Sequence, residues 1–363
     1  MKKVTFIVMI GIMLVTTACG SFTGVGEQPT VAATQPVEAA QPTMVEPMQP
    51  QPTLSPQSER HCGDGICDGP ENSKTCQADC AGSASTPQAT LPVVETQAST
   101  GGTGEMEAGP EANSYWVTNP TSGAKLFVHM ARPQNWNGGA LPTLVLVPGG
   151  TGPGDPQRAD RLAQQGFIVV AFDPDGRGRS EGSEDQDGFI QQDGLAAVVQ
   201  AIYNLPEVDQ NNIAIVTYSY GITMGSGVLA RYPDLPVKFL IDWEGPADRY
   251  YTGCRVGSPK IKWPACDDDE AWAQREAVTF IAQIKVPYLR LQSENDHVQP
   301  NNNHAIDMIN AAIAGGVPWV RLNDYPPNQT YDTANSPAMM PDEQDKGLDM
   351  KIAQVAKELF EQF

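Results

Sequence analysis

The sequence predicts an α/β domain with a mostly parallel sheet over residues 113–363, preceded by a long non-globular N-terminal part. Short apolar segments rich in β-branched residues alternate with segments of helical length and periodicity. Several of the apolar segments have no polar interruption, which is typical of strands buried on both faces of a sheet. Proline, by contrast, is concentrated in the first third of the chain, so the folded part is smaller than the whole.

The predicted elements follow one another from residue 125 to the C-terminus. We expect strands at Lys125–Met130, Leu141–Val147, Phe167–Phe172, Ile213–Val216, Phe239–Trp243, Val286–Gln292 and Trp319–Leu322. We expect helices at Arg158–Gln165, Gln191–Tyr203, Ile306–Ala314 and Glu343–Phe363, and a further helix directly after Ser219.

The charge of the chain excludes one class of partner. Its 363 residues carry a formal net charge of −20, which argues against nucleic-acid binding and for a solvated acidic surface. No stretch after residue 20 is apolar and long enough to span a bilayer.

The first nineteen residues predict export. A short basic start precedes the apolar run Val4–Val15, and small residues then precede Cys19. This pattern resembles a bacterial lipobox, which implies cleavage before Cys19 and lipid attachment to that residue. The protein would then be extracytoplasmic and anchored to the cell membrane. A plain secretory signal and an uncleaved anchor remain alternatives, and both also direct the chain across the membrane.

Two linkers flank a small cysteine-rich module. Residues 20–60 are rich in Gln, Pro and Thr and offer no apolar face, so we interpret them as a disordered stalk. Residues 81–112 form a second linker of similar character. Residues 61–80 hold four cysteines spaced x4, x8 and x3: Cys62, Cys67, Cys76 and Cys80.

In an exported chain these four cysteines predict two disulfides, for which three pairings are possible. Zinc is the rival interpretation, but the compartment and the spacing disfavour it. The carboxylates of Asp64, Asp68, Glu71 and Asp79 are candidate ligands for Ca²⁺. The stretch resembles small secreted repeats, some of them calcium-binding Notch-type modules, so Ca²⁺ is a possible partner beside a plain disulfide-linked spacer.

The remaining two of the seven cysteines, Cys254 and Cys266, lie in the C-terminal domain and are expected to pair. They fall within residues 245–283, which are long for a simple connection. We therefore expect a disulfide-stapled cap insertion, with aromatic residues that line a pocket or form a small core of their own: Tyr250, Tyr251, Trp263 and Trp272. Trp243 and Glu244, at the end of the preceding strand, are expected to face the pocket mouth.

The segment Ile213–Gly227 contains the strongest single motif. An apolar strand is followed by Thr-Tyr-Ser-Tyr-Gly and then by small residues that allow a helix to pack closely on a sheet. A serine on such a sharp strand-to-helix turn is a nucleophile elbow, which needs small residues two positions before and after the serine. Gly221 meets the second requirement, whereas Thr217 stands where the pattern has its first glycine.

Together with three further motifs, this elbow resembles the α/β-hydrolase superfamily, closest to its dienelactone-hydrolase and prolyl-oligopeptidase-like branches. Pro148-Gly-Gly matches the oxyanion loop of the family, and Asp173-x-x-Gly-Arg-Gly-x-Ser180 matches the loop after the next strand. Ser293–Pro300 matches the loop that carries the acid. The resemblance covers roughly residues 115–363 and implies the α/β-hydrolase fold, with helices on both faces of the sheet.

The resemblance implies roles for individual residues. Ser219 would be the nucleophile and Asp296 the acid that orients the base. The backbone N–H of Tyr220, with one from the loop around Gly150, would hold the oxyanion. The alternative for Asp296 is a turn residue that caps the next helix. We expect no cofactor and no metal in this domain.

The base is the open question. The family carries its histidine after the last strand, but Asn323–Tyr331 contains none and no histidine follows His304. His297 directly follows the predicted acid, and to reach Ser219 it would need a different acid, either Asp242 or Glu244. His304 lies at the start of a predicted helix, where its alternative role is that of a helix-terminal polar residue. A water held by polar groups is a further candidate.

Two functions follow from these observations. The first is an extracytoplasmic, lipid-anchored serine hydrolase that cleaves an ester or amide bond in a small-molecule or peptide-like substrate. The second is a catalytically inactive α/β-hydrolase-fold protein whose cleft binds a ligand or a cell-surface polymer. An imidazole within hydrogen-bond reach of the Ser219 hydroxyl would favour the first.

Overall fold

The computed structural model describes residues 106–254, 261–299, 301–343 and 345–363. Cys19 with its signal segment, the first linker, most of the second linker and the cysteine-rich module with its possible calcium site all lie outside these residues. The expectations for them remain predictions.

The described chain is built on one nine-stranded sheet in the order β1-β2-β3-β5-β4-β6-β7-β8-β9. Its first strands pair antiparallel, and all pairs from β5–β4 through β8–β9 are parallel. The strands are β1 (Glu107–Ala108), β2 (Ser114–Thr118), β3 (Lys125–Ala131), β4 (Leu141–Val147), β5 (Ile168–Phe172), β6 (Val208–Tyr218), β7 (Phe239–Trp243), β8 (Tyr288–Leu291) and β9 (Val320–Leu322).

Seven α-helices cover this sheet in the described part of the chain. They are α1 (Pro156–Ala163), α2 (Phe189–Tyr203), α3 (Gly221–Arg231), α4 (Asp269–Ala273), α5 (Ala277–Ile281), α6 (Asn303–Ala314) and α7 (Asp345–Gln362). None of the helices described is long and apolar enough to cross a membrane.

The hydrophobic core consists of two layers, one on each face of the sheet. Helices α2, α3, α5 and α6 pack on one face and helices α1 and α7 on the other. Along β4, Val145 and Val147 belong to the first layer, whereas Leu144 and Leu146 belong to the second. Because successive side chains of a strand point to opposite faces, an uninterrupted apolar strand requires cover on both sides. This confirms the predicted fold class.

The predicted elements are all present, and they differ from the structure mainly at their ends. The largest difference is at β6, which begins at Val208 rather than Ile213. The strands β1 and β2 were not predicted. Both lie at the antiparallel edge of the sheet, and β2 has only two buried positions, Ser114 and Val117, instead of forming a buried apolar run.

The elbow between β6 and α3 accommodates Thr217 through a glycine on the helix. A Cβ atom at Gly225 would lie 2.3 Å from Cγ2 of Thr217, so the missing side chain on α3 provides the room that the threonine needs. The Thr217 hydroxyl donates to Oδ1 of Asp242 on the neighbouring strand (3.2 Å). A small residue at position 225 therefore replaces the small residue that the motif lacks at position 217.

The connection between β7 and β8 forms the predicted cap. It contains a 3₁₀ turn (Arg249–Tyr251) and the helices α4 and α5. The disulfide Cys254–Cys266 is present, with Cα atoms 5.5 Å apart, and confirms the expected pairing. The ring of Trp263 packs edge-on against Tyr220, with ring centroids 4.8 Å apart. The cap therefore contacts the residue that follows Ser219.

The packing of Gly225 against Thr217 predicts a coupled effect on stability. Gly225→Ala should lower the free energy of unfolding by about 1–3 kcal/mol, because the new methyl group meets a β-branched side chain that has little rotamer freedom. Thr217→Ser removes Cγ2 but keeps the hydroxyl, so the double variant should recover part of this loss.

Urea unfolding of the two single variants and the double variant measures this coupling. Gly139→Ala is the matched control, since a Cβ there meets only the side chain of Asn137 at 3.6 Å, and it should change stability by less than about 0.5 kcal/mol. If the stability changes of Gly225→Ala and Thr217→Ser were strictly additive in the double variant, this would contradict the proposal that Gly225 makes room for Cγ2 of Thr217.

Candidate active site

Ser219 occupies the sharp turn between β6 and α3. Its φ angle is +50°, a left-handed value that is unfavourable for a residue with a side chain and typical of strained functional turns. Its backbone N–H donates to the carbonyl of Trp243 at the end of β7 (2.8 Å). The turn is therefore fixed to the neighbouring strand, and the hydroxyl is held at the carboxyl end of the sheet.

His297 lies within reach of this serine. Its Nε2 atom is 2.9 Å from Oγ of Ser219, although the two residues are separated by 78 positions in the sequence. The histidine belongs to the loop after β8, and about a quarter of its side chain is exposed.

The carboxylate that contacts the other ring nitrogen of His297 is that of Glu244. Its Oε2 atom lies 2.7 Å from Nδ1 of His297 and also accepts the backbone N–H of His297 (3.2 Å). Its Oε1 accepts the N–H of Ser293 (3.1 Å). The Glu244 side chain is almost completely buried, so these bonds replace the water that its charge would otherwise have.

These contacts define the protonation pattern of the imidazole. An ionised carboxylate only accepts hydrogen bonds, so Nδ1 of His297 carries the proton that Glu244 receives. In the neutral ring Nε2 is then the acceptor, and the Ser219 hydroxyl donates to it. This is the tautomer that a general base needs.

Asp296, predicted to orient the base, makes its hydrogen bonds elsewhere. Its Oδ2 accepts from Nε2 of His304 (3.1 Å) and from Gln292 (2.9 Å). Its Oδ1 accepts the N–H groups of Val298 (2.9 Å) and Gln299 (2.8 Å) and remains 3.7 Å from Nδ1 of His297. Asp296 thus stabilises a turn, although it does not cap α6, whose N-cap residue is Asn302. Glu244, and not Asp296, is the carboxylate nearest to Nδ1 of His297.

His304 does not reach Ser219 and is fully buried at the start of α6. Burial lowers the pKa of its imidazole, and its hydrogen bond to Asp296 acts in the opposite direction. For Asp296, burial alone would raise the pKa, but the hydrogen bonds from His304 and Gln292 hold it well below its usual range. The pair is therefore a neutral histidine and an ionised carboxylate.

A buried ion pair contacts Gln292 and His304 through Arg290. Nη1 of Arg290 donates to Oδ2 of Asp242 (2.6 Å), and both side chains are fully buried. Nη2 of Arg290 contacts Gln292 (2.7 Å) and Nδ1 of His304 (3.2 Å). Asp242, the other candidate partner for His297, is thus engaged with Arg290, and burial raises its pKa despite that contact.

The glycine-rich loop after β4 lies against Ser219. A Cβ atom at Gly149 would lie 2.7 Å from the backbone oxygen of Tyr218 and 3.0 Å from Cβ of Ser219, so only glycine allows this approach. Gly150, the predicted oxyanion residue, has a φ angle of +58°. Asp173 ties this loop to the following motif, because its carboxylate accepts the N–H of Gly154 (2.9 Å) and of Arg179 (2.8 Å).

Tyr220, the other predicted oxyanion residue, stands at the N-cap position of α3. Its hydroxyl donates to the carbonyl of Gln186 (3.0 Å), which directs the buried side chain away from Ser219. This hydrogen bond holds Tyr220 at the start of the helix, where the first backbone N–H groups have no partner within the helix.

Glu244, Asp296 and His297 also offer three potential metal ligands, whose atoms lie within 4.8 Å of one another. Both carboxylates already accept several N–H bonds. A cation bound to Nδ1 of His297 would displace the proton that Glu244 receives.

From the sequence, Glu244 was a candidate acid only if His297 were the base. Its position in the chain could have indicated its proximity to Ser219. Glu244 directly follows β7, which neighbours β6, and the register places Tyr218 beside Trp243. The residues after these two positions, Ser219 and Glu244, must then lie side by side at the sheet edge.

No protein-family model and no curated protein matches the sequence. Solved structures match in fold. A candidate dipeptidyl aminopeptidase IV from Bacteroides ovatus has a TM-score of 0.50 and 19% identity, over 66% of this chain and 34% of that chain. A puromycin-hydrolyzing peptidase from Mycobacterium tuberculosis has a TM-score of 0.50 and 16% identity, over 68% and 38%. This chain therefore spans well under half of either protein. The likeness establishes the fold, and the described domain has the α/β-hydrolase fold.

The environment of Asp296 predicts a pH-dependent contribution to stability. Asp296→Asn should lower the free energy of unfolding by about 1–3 kcal/mol near neutral pH, since it removes a charge that receives four hydrogen bonds. The folded-state pKa of Asp296 lies below the unfolded value of about 3.9. Its contribution is therefore complete above about pH 5 and declines as the pH falls below about 4.

Urea unfolding of the wild type and Asp296→Asn at pH 6.5 and pH 3 tests this prediction. The difference between the two proteins should be smaller at pH 3. Glu361→Gln is the control, because Glu361 is exposed at the end of α7. A difference for Asp296→Asn that is constant with pH would contradict the assignment of an ionised, stabilising carboxylate.

Proposed function

We propose that the chain is a serine hydrolase that cleaves an ester or amide bond, with Ser219 as nucleophile, His297 as general base and Glu244 as the acid that orients the base. The observation that carries this proposal is the pair of hydrogen bonds from Ser219 Oγ to His297 Nε2 (2.9 Å) and from His297 Nδ1 to Glu244 (2.7 Å). Such a relay activates a hydroxyl that is a poor nucleophile by itself.

The first step forms the bond between Ser219 Oγ and the carbonyl carbon of the substrate. The hydroxyl proton passes to Nε2 of His297, and the carbonyl oxygen becomes an oxyanion. When the intermediate collapses, the bond to the leaving group breaks and the imidazolium gives its proton to the departing oxygen or nitrogen. Water then attacks the acyl-enzyme in the same way and restores Ser219.

The oxyanion would be held by backbone N–H groups of Tyr220 and Gly150. The close approach of the glycine-rich loop to Ser219 and the helix start at Tyr220 support this assignment. One such donor typically contributes about 3 kcal/mol to stabilisation of the transition state.

The rival function, a catalytically inactive binding protein, was motivated by the missing histidine after the last strand. His297 supplies an imidazole at hydrogen-bond distance from Ser219, which removes that motive and favours the enzyme. The two structural neighbours are named as peptidases, and an ester or amide substrate agrees with those names.

We further propose that the enzyme acts outside the cytoplasm and is held at the membrane by lipid on Cys19. The Cys254–Cys266 disulfide supports this location, because disulfides persist in oxidising compartments.

The activated serine predicts covalent labelling. The full-length chain treated with a fluorophosphonate should gain the mass of one probe less HF, since Ser219 Oγ bonds to phosphorus, fluoride leaves and the serine proton passes by way of His297 to solvent. Intact mass spectrometry measures the stoichiometry. Ser219→Ala is the control and should remain unlabelled. Folded wild-type protein that stays unmodified would refute the hydrolase proposal.

The roles of the two acids and the two histidines are separated by matched pairs of variants. Glu244→Gln and His297→Gln should reduce the labelling rate by roughly 10²–10⁴-fold, because they break the relay. Asp296→Asn and His304→Gln carry the same chemical changes at residues that do not contact Ser219, and they should change the rate by less than about tenfold.

The labelling rates are compared at a temperature at which circular dichroism shows all four variants to be folded. A larger loss for Asp296→Asn than for Glu244→Gln would return the acid role to Asp296.

A further inference from the structure

The ring of Trp243 lies on one face of the His297 imidazole. Their centroids are 4.8 Å apart, and the planes differ by only 17°. Glu244 meets the same imidazole at its edge through Nδ1. The base therefore has one contact at its edge and a separate aromatic contact on its face, both from consecutive residues at the end of β7.

Trp243 is fixed in this orientation by its neighbours on the sheet. The parallel register pairs it with Tyr218, whose ring it meets edge-on at 6.3 Å. The guanidinium of Arg158 lies 4.4 Å from the centroid of the Tyr218 ring. Within the described residues, the buried Nε1 of Trp243 has no hydrogen-bond partner. What Trp243 offers to His297 is therefore its ring face and not its polar N–H.

An aromatic face at this position favours the charged form of the imidazole. The negative face of an indole attracts a cation within about 6 Å of its centroid. In the proposed reaction, the imidazole of His297 becomes a cation when it accepts the Ser219 proton. The stacking contact is therefore stronger in the transition state than in the resting enzyme, which is the condition for a contribution to rate.

We propose that Trp243 is a positioning residue for the reaction, which holds the plane of the His297 ring and stabilises its protonated form through the indole face. This inference rests on the proposed function, because it concerns the base of that reaction. Two carboxylates also face His297: Glu244 at 2.7 Å and Asp296 at 3.7 Å. Both are unchanged when only Trp243 is substituted, so its contribution can be isolated.

The test is an NMR titration of the full-length chain with isotope-labelled histidine. The sequence has only four histidines, and His297→Gln assigns the resonance of interest. In Trp243→Leu, which removes the π face, the His297 resonance should titrate at a lower pH than in the wild type. Trp243→Phe, which keeps a smaller aromatic face, should fall between them. The resonance of His129, on β3, serves as an internal reference.

Trp116→Leu is the matched control for loss of a partly buried tryptophan. Trp116 lies on β2 and contacts Phe127, so its substitution should leave the His297 titration unchanged. Equal His297 titration in the wild type, Trp243→Leu and Trp243→Phe would overturn the inference. A shift in Trp116→Leu as large as that in Trp243→Leu would also overturn it, because the effect would then be a general one.

The fluorophosphonate reaction supplies the second readout. The limiting labelling rate should fall roughly two- to fivefold in Trp243→Leu, and the acidic limb of its pH profile should move to lower pH. A lower rate with an unmoved limb would reduce Trp243 to a structural role and contradict the proposal. Absence of labelling in the wild type would refute the hydrolase itself, whereas the NMR titration still decides whether Trp243 favours the charged ring.

Discussion

The site depends on one buried carboxylate, that of Glu244. A charged group with so little exposure costs several kcal/mol unless hydrogen bonds replace its water. Glu244 receives the N–H of Ser293 on one oxygen and both the N–H and the Nδ1–H of His297 on the other. These donors take the place of the water that the carboxylate would otherwise bind. Without the carboxylate, the loop that carries His297 would lose three hydrogen bonds to the residue that follows β7. The carboxylate that we propose orients the base thus also holds that loop in place.

A second set of hydrogen bonds holds the same loop in place. Asp296 accepts two backbone N–H groups of the loop and is itself held by His304 and Gln292. These side chains join the buried pair of Arg290 and Asp242. The two carboxylates near His297 thus make different contacts: Glu244 faces the ring nitrogen, and Asp296 stabilises the turn that follows His297. The turn that carries Ser219 depends on two glycines that have no side chain to obstruct it. Gly149 allows the loop after β4 to approach Ser219, and Gly225 leaves room for Thr217.

The sequence was sufficient for the fold but only partly for the site. Uninterrupted apolar strands, the Ser219 turn and the cysteine pair predicted the sheet, the elbow and the stapled cap, because each depends on local pattern. The antiparallel strand β2 lacked such a pattern. The local sequence pattern also could not decide whether Asp296 or Glu244 contacts His297. It depends on which carboxylate the register of β6 and β7 brings to Nδ1 of His297, and this is a distance between residues 53 positions apart. The family motif points to Asp296, one residue before the histidine, and this carboxylate accepts two N–H groups of the turn.

The most direct test of the central claim is a crystal structure of the protein with Ser219 phosphonylated. The account predicts that His297 keeps its Nδ1 contact with Glu244, that Nε2 faces the oxygen bonded to phosphorus, and that a phosphonyl oxygen lies at hydrogen-bond distance from the N–H groups of Tyr220 and Gly150. A His297 ring turned toward Asp296, or away from Ser219 into solvent, would contradict the assignment of Ser219, His297 and Glu244 as one catalytic unit.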